Sequence, residues 1–183
     1  MRLGASERDR IVAAALAAGS FTAYAVTTAR SVSTIFDDSL EFQVVLPTLG
    51  IAHPSGYPLY TLLGKLFTLL LPLSDPAHEV NLLSALCAGA TVGLLYLVAR
   101  RVVGSPPAAA TAVIVFAISP TWWSQATIAE VYALHGLLVA FFLYFLLRWE
   151  EAQMRGSHTQ GGGDAFLRLA ALICGLGLAH HRM

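Results

Sequence analysis

Leu82-Leu83-Ser84-Ala85-Leu86-Cys87-Ala88-Gly89-Ala90-Thr91-Val92-Gly93-Leu94-Leu95-Tyr96-Leu97-Val98-Ala99 runs without a single charged side chain. A helix that crosses a bilayer needs about 20 mostly apolar residues, so this stretch reads as a membrane span. Working outward, Val131 to Leu147 and Ala108 to Trp122 read the same way on the C-terminal side, and Ile11 to Ala29 on the N-terminal side. A fifth span opens near Phe166 and runs to residue 183. The expected spans are therefore 11–29, 82–99, 108–122, 131–147 and 166–183, and the fold class is an all-α polytopic membrane protein. Composition agrees: 56% of the residues are hydrophobic, 12% are charged and the mean hydropathy is +0.66, outside the range of a water-soluble domain.

Formal net charge is zero and the basic residues are scattered, which leaves no electrostatic footprint for nucleic acid. Cys87 and Cys174 stand in apolar segments without metal-ligand spacing, so they read as helix thiols and no metal site is expected from them. Between the first two spans lies a long loop, 30–81. Its apolar run from Leu59 to Leu71 carries Lys65 and stops at Pro72, which suits a short interfacial or re-entrant helix, with a full span as the other reading. Residues 148–165 form a linker whose Gly156 to Gly163 portion is flexible in composition.

Arg2, Arg8 and Arg10, then Arg100 and Arg101, then Arg148, Arg155 and Arg168 all fall on one side of the expected spans. The positive-inside rule makes that side, with the N-terminus, cytoplasmic, and turns loop 30–81, the Trp122-Trp123 turn and Glu130 to the exported face. The N-terminal stretch ending at Ala23-Tyr24-Ala25 also has the outline of a cleavable signal peptide, but its apolar part is longer than a usual signal core, which favours a retained helix.

The polar residues of that exported face are the candidates for chemistry. Asp37, Asp38 and Glu41 fall three and four apart, so a helix over Phe36 to Val45 would put carboxylates on one face. Like charges that close push one carboxyl upward and suit it to accept a proton; an acidic helix N-terminus without function has the same sequence. His53-Pro54-Ser55-Gly56-Tyr57-Pro58 reads as a rigid turn in which His53 is held extended, either as a phosphate or hydroxyl partner or bonded to a backbone carbonyl. Glu130 opens the fourth span, a position that favours a carboxylate in any case. His180, His181 and Arg182 come about 18 Å of helix rise after Arg168, within bilayer depth, where cations need an anionic partner or snorkel to the surface.

Taken in order, Asp38-x-x-Glu41-Phe42, Leu49-Gly50-x-x-His53-Pro54-x-Gly56-Tyr57-Pro58-Leu59-Tyr60, Asn81-Leu82-x-Ser84-Ala85-Leu86, Glu130-Val131-Tyr132 and Gly177-Leu178-Ala179-His180-His181-Arg182 resemble the transmembrane-protein-260-type family, a group placed with the protein O-mannosyltransferases. The resemblance runs from about Phe36 to the end. It implies the N-terminal part of a C-type glycosyltransferase (GT-C) fold, here a single partial membrane domain over 1–183. It also implies a polyprenyl-phosphate sugar donor, an exported protein acceptor and transfer of a hexose, with mannose expected, with inversion.

In that scheme Asp38 is the base, Glu41 tunes it or holds the acceptor, and His53, His180, His181 and Arg182 stabilise the departing phosphate, with Tyr57 and Glu130 beside them in donor or acceptor binding. No cofactor is required, although paired acids suit Mg²⁺ or Mn²⁺ through oxygen ligands. Two departures stand out: Leu40 where the family has glycine, and Ser55 where it has a second proline. Family members also carry many more spans, so the chain reads as part of a longer protein. A transporter lined by Asp38, Glu41 and Glu130, and a non-catalytic membrane scaffold, are the other readings; a transporter would show inverted repeats, and none is visible.

Overall fold

The computed structural model describes residues 6–32, 37–54, 56–73, 75–154 and 162–181. They form helices α1 (Glu7–Thr27), α2 (Asp37–Thr48), α3 (Pro58–Leu70), α4 (Pro76–Val103), α5 (Pro106–Ala117), α6 (Pro120–Ala126), α7 (Val131–Met154) and α8 (Gly162–His180), and no strand occurs among the described residues. Four of them, α1, α4, α7 and α8, are long and apolar enough to cross a membrane. The chain is all-α.

Helix α4 is the axis on which the others pack. Asp75 caps its start by accepting from the N–H groups of Ala77 and His78, at 2.9 and 3.4 Å, and Pro76 follows at the first helical position, where its missing N–H costs nothing. Its 28 residues end at Gly104, whose φ of 76° is the left-handed cap that glycine adopts most readily. Helix α1 runs antiparallel against it. Ser6 and Asp9 bond each other's backbone N–H at the head of α1, a reciprocal cap that starts the helix four residues before the expected apolar boundary at Ile11.

Close approach of α1 and α4 rests on Gly89 and Gly93. A Cβ on Gly93 would lie 2.7 Å from the Ala13 carbonyl oxygen, and one on Gly89 2.9 Å from that of Ala17. Small residues let two helix backbones touch in this way where lipid removes the hydrophobic drive for association.

The expected third span differs from the structure. Its helix, α5, stops at Ala117, and the chain turns through Ile118 and Ser119 before α6 begins at Pro120. Pro120 has no N–H to continue the α5 ladder, and its ring would strike the carbonyl four residues back. Ser119 instead caps α6 by accepting from the Trp122 N–H at 3.4 Å. The Trp122 ring then lies over Gly136 of α7, where a Cβ would come within 2.6 Å of it. Trp122 is therefore a wedge between α6 and α7.

One end of the bundle is ionic. Arg100 Nε donates to Asp9 at 2.9 Å, Tyr96 OH donates to the same carboxylate at 3.3 Å, and Arg101 pairs with Glu151 at 2.9 Å, which ties α1, α4 and α7 together. Arg148 lies 4.7 Å above the Phe166 ring and brings the start of α8 to the same end. Arg100, Arg101 and Arg148 thus share one end, and α2, α3 and the α6–α7 connection occupy the other.

Replacing Gly93 by alanine is expected to lower the thermal unfolding midpoint by the equivalent of about 1–3 kcal/mol, the usual cost of overpacking. Gly19→Ala, where a Cβ meets open space, should leave the midpoint unchanged or raise it. Equal effects of the two would contradict the backbone contact.

Candidate active site

Helix α2 is too short to span and is held by its polar residues. Ser39 is fully buried and donates to the Ala129 carbonyl at 3.0 Å, and Gln43 donates to Asn81 Oδ1 at 2.9 Å. Asn81 in turn donates to the Ala29 carbonyl at 3.1 Å, where His78 Nδ1 also bonds at 2.9 Å. Between Ser39 and Gln43, Phe42 turns inward and meets Tyr57 and Tyr60 edge to face, with ring centroids 5.4 and 5.2 Å apart. These contacts leave Asp38 at the exposed start of α2 and set Glu41 at the rim of the aromatic cluster.

Glu41 finds a different partner from the one its spacing suggests. Its carboxylate accepts from the His53 backbone N–H at 2.8 Å and contacts His53 Nδ1 at 2.5 Å. The bond to Glu41 holds the His53 imidazole above its usual range, against a smaller opposing effect of burial. The His53 imidazole is thus one half of a carboxylate–imidazole pair.

After His53 the backbone is forced into an uncommon path: Gly56 has φ of 82° and Tyr57, the residue before Pro58, has φ of 43°. A left-handed tyrosine ahead of a proline is strained. That path stacks the Tyr57 ring on His181, with planes 20° apart and centroids at 6.3 Å. Burial raises the Tyr57 hydroxyl above its ordinary value, and the Asp38 charge adds to the effect.

Glu130 sits beneath the α2 acids, 5% exposed. Its N–H donates to Ser84 Oγ at 3.4 Å, and Tyr60 OH contacts the same oxygen at 3.3 Å. Burial pushes the Glu130 carboxyl up to about 7, and the negative charge of Asp38 pushes in the same direction. The charges of Asp38 and Glu130 also act on His53, each favouring its protonated form.

The histidines of α8 close the site from the other side. His180 is completely buried and its Nε2 bonds the Val131 carbonyl at 3.1 Å; because a carbonyl only accepts, Nε2 carries the hydrogen. His181 meets Tyr132 edge-on at 5.5 Å and His135 at 5.4 Å, and His135 lies 6.3 Å from His180. A cavity of about 570 Å³ between α7 and α8 has His135 and His181 in its wall.

Asp38, Glu41, His53, Tyr57, Glu130, His180 and His181, singled out from sequence, thus gather at the end of the bundle opposite the ionic one. Arg182 lies outside the described residues. Sequence reasoning missed His135, which is embedded in the apolar run of the fourth span; the signal it offered was an ionisable residue inside a span, one helical turn past Val131. It also gave no role to Ser84, which sits under Tyr60 and Glu130. Among the described residues no group of three or more His, Cys, Asp and Glu is arranged to hold a metal ion.

Comparison with known proteins agrees with the motif order. Residues 38–183 match the family described as the protein O-mannosyl-transferase TMEM260 N-terminal domain. The mouse protein O-mannosyl-transferase TMEM260 is 34% identical over 143 residues, 78% of this chain and 20% of the mouse protein. The Dictyostelium discoideum protein O-mannosyl-transferase tmem260 is 25% identical over 149 residues, 78% of this chain and 18% of its own length. The chain therefore spans about a fifth of these relatives. No solved structure matches it.

The Glu130 carboxyl gives a test of the site's electrostatics. Its native value of about 7 lies above the ordinary value of 4.5, so the native state holds the proton more tightly. The associated stability is present at low pH and is lost as pH rises through about 7, by at most ~3 kcal/mol. Glu130→Gln cannot ionise. Its thermal midpoint relative to wild type should therefore be higher at pH 8 than at pH 5, and a difference independent of pH would contradict a buried, elevated carboxyl.

Proposed function

The chain belongs to the TMEM260-type protein O-mannosyltransferase family, matching its N-terminal domain, and from that premise we propose that its acid–histidine site transfers mannose from a polyprenyl-phosphate donor to a hydroxyl of an exported protein. The observation that carries this reading is that Tyr57, on which the charge of the exposed Asp38 acts, packs against the imidazoles of His180 and His181 at one end of a bundle of apolar helices. A lipid-linked donor needs its phosphate near the membrane and its acceptor in water, and the site offers both surroundings.

Asp38 is the base. Its exposure gives a protein acceptor access, and it takes the proton from a Ser or Thr hydroxyl as that oxygen attacks the anomeric carbon. The bond from the anomeric carbon to the phosphate oxygen breaks on the opposite face, its electron pair leaves with the polyprenyl phosphate, and configuration inverts. His181 faces the leaving phosphate as a hydrogen-bond donor, and His180 braces it from behind through Val131. Glu41 keeps His53 oriented at the rim, which is a positioning role. Glu130, poised near neutrality, accepts or returns a proton beneath Asp38.

This site lies on the exported side and the N-terminus in the cytoplasm, a reading supported by the Arg100, Arg101 and Arg148 contacts at the other end.

Membranes containing the protein should move radiolabelled mannose from polyprenyl-phosphate mannose to protein, and Asp38→Asn should reduce the rate about 10²–10⁴-fold, the range for loss of a general base. Transfer undiminished in Asp38→Asn would remove Asp38 from the mechanism. Transfer absent from wild type as well would favour a scaffold or transporter.

A further inference from the structure

The cavity between α7 and α8 is built unevenly. At one end stand His135 and His181; away from them the wall is apolar, with Leu138 and Phe142 from α7 and Ile173 and Leu178 from α8. Nδ1 of His135, of His180 and of His181 is buried without a hydrogen-bond partner among the described residues. A buried polar atom left unpaired is costly, and three in one corner are unusual in a native structure. His180 has its Nε2 hydrogen committed to Val131, so its Nδ1 is an acceptor, whereas His135 and His181 can each present an Nδ1–H to a partner. A small polar solute would satisfy the nitrogens and leave the apolar length empty. A plain hydrocarbon would do the reverse. An acidic head on a long apolar tail satisfies both.

We propose that this cavity is the lipid slot of the site, with His135 a direct ligand of the donor's phosphate and the first isoprene units lying along Leu138, Phe142 and Ile173. The inference rests on the lipid-linked donor proposed above and adds a residue and a place that neither the motifs nor the family match assigns. The phosphate oxygens accept from His135 and His181 at the mouth of the slot, and His181 carries the same phosphate within reach of the Tyr57 side of the site. Lipid enters sideways between two span-length helices, and no opening toward water is needed for the tail.

Gly177 makes the slot testable. It lines the cavity, and a Cβ there meets nothing within 4 Å, so Gly177→Leu fills the slot without disturbing the backbone, and leucine favours the helix more than glycine does. Gly175 has equally open space but does not line the cavity, so Gly175→Leu is its control.

Binding of a polyprenyl phosphate and of the matching unphosphorylated polyprenol is measured by native mass spectrometry on the purified full-length protein, with thermal midpoints confirming that each variant is folded. Wild type and Gly175→Leu should bind the phosphate about tenfold or more tighter than the alcohol. His135→Ala should lose about tenfold for the phosphate and keep its affinity for the alcohol. Gly177→Leu should weaken both.

Wild-type affinity for polyprenyl phosphate in both variants would overturn the slot, and if Asp38→Asn still abolished sugar transfer the proposed function would stand without it. Wild type that binds neither lipid, or both equally, would overturn the slot and the lipid-phosphate donor together. Equal loss of the two lipids in His135→Ala would reduce that residue to packing and overturn its role as phosphate ligand.

Discussion

Asn81 holds the arrangement together. It is wholly buried near the start of α4, its carbonyl accepts from Gln43 of α2, and its amide donates to the Ala29 carbonyl just past the end of α1. Backbone that leaves a helix inside an apolar bundle cannot turn to water, so its carbonyls must be met by protein. Asn81 and His78 meet the one at Ala29, Thr28 reaches the Thr127 carbonyl at 2.5 Å, and Ser39 reaches that of Ala129. The first two fix the chain after α1 against α4, the third ties the α6–α7 connection to the end of α1, and the fourth ties that connection to α2. Together they seat α2, α3 and the α6–α7 turn on the bundle, and the site is made of those pieces.

The consequence is a division of labour between rigid spans and the short elements they carry. Spans α7 and α8 contribute the imidazoles, whose positions follow from helix packing. The acids stand on α2 and on the residue before α7, where exposure differs sharply over a short distance: Asp38 faces solvent while Glu130 beneath it is buried. Burial and the neighbouring Asp38 charge push the Glu130 carboxyl up to about 7, which leaves it poised near neutrality. Strain at Tyr57 belongs to the same design, because its left-handed backbone points the ring at His181.

Much of the fold was legible because membrane spans announce themselves by length and composition, as Leu82 to Ala99 does. The break at Pro120 was also written in the sequence, but a run of apolar residues on both sides masked it. That the polar residues would gather at one end was legible, and their pairings were not. Glu41 and Asp38 look like partners from their spacing, whereas Glu41 bonds His53 twelve positions away, because Leu49 and Gly50 end α2 and return the chain across its own face. The backbone-carbonyl bond considered for His53 is made by His180 instead. His135 was hidden by its neighbours, since a span is recognised by averaging and averaging erases one polar residue. Tertiary closure decides each of these cases, and local spacing carries no information about it.

The account depends on the α3 entry and the end of α8 forming one site, and the Tyr57–His181 contact tests that most directly. Tyr57→Cys and His181→Cys, combined in a chain with Cys87 and Cys174 replaced by alanine, would be treated in native membranes with a short bifunctional thiol reagent and read by peptide mass spectrometry. The expected result is an efficient intramolecular cross-link between the two positions, and none between Tyr57→Cys and Val102→Cys at the opposite end. Failure to cross-link Tyr57→Cys to His181→Cys, while each cysteine alone reacts with a monofunctional reagent, would contradict the joined site and with it the chemistry built upon it.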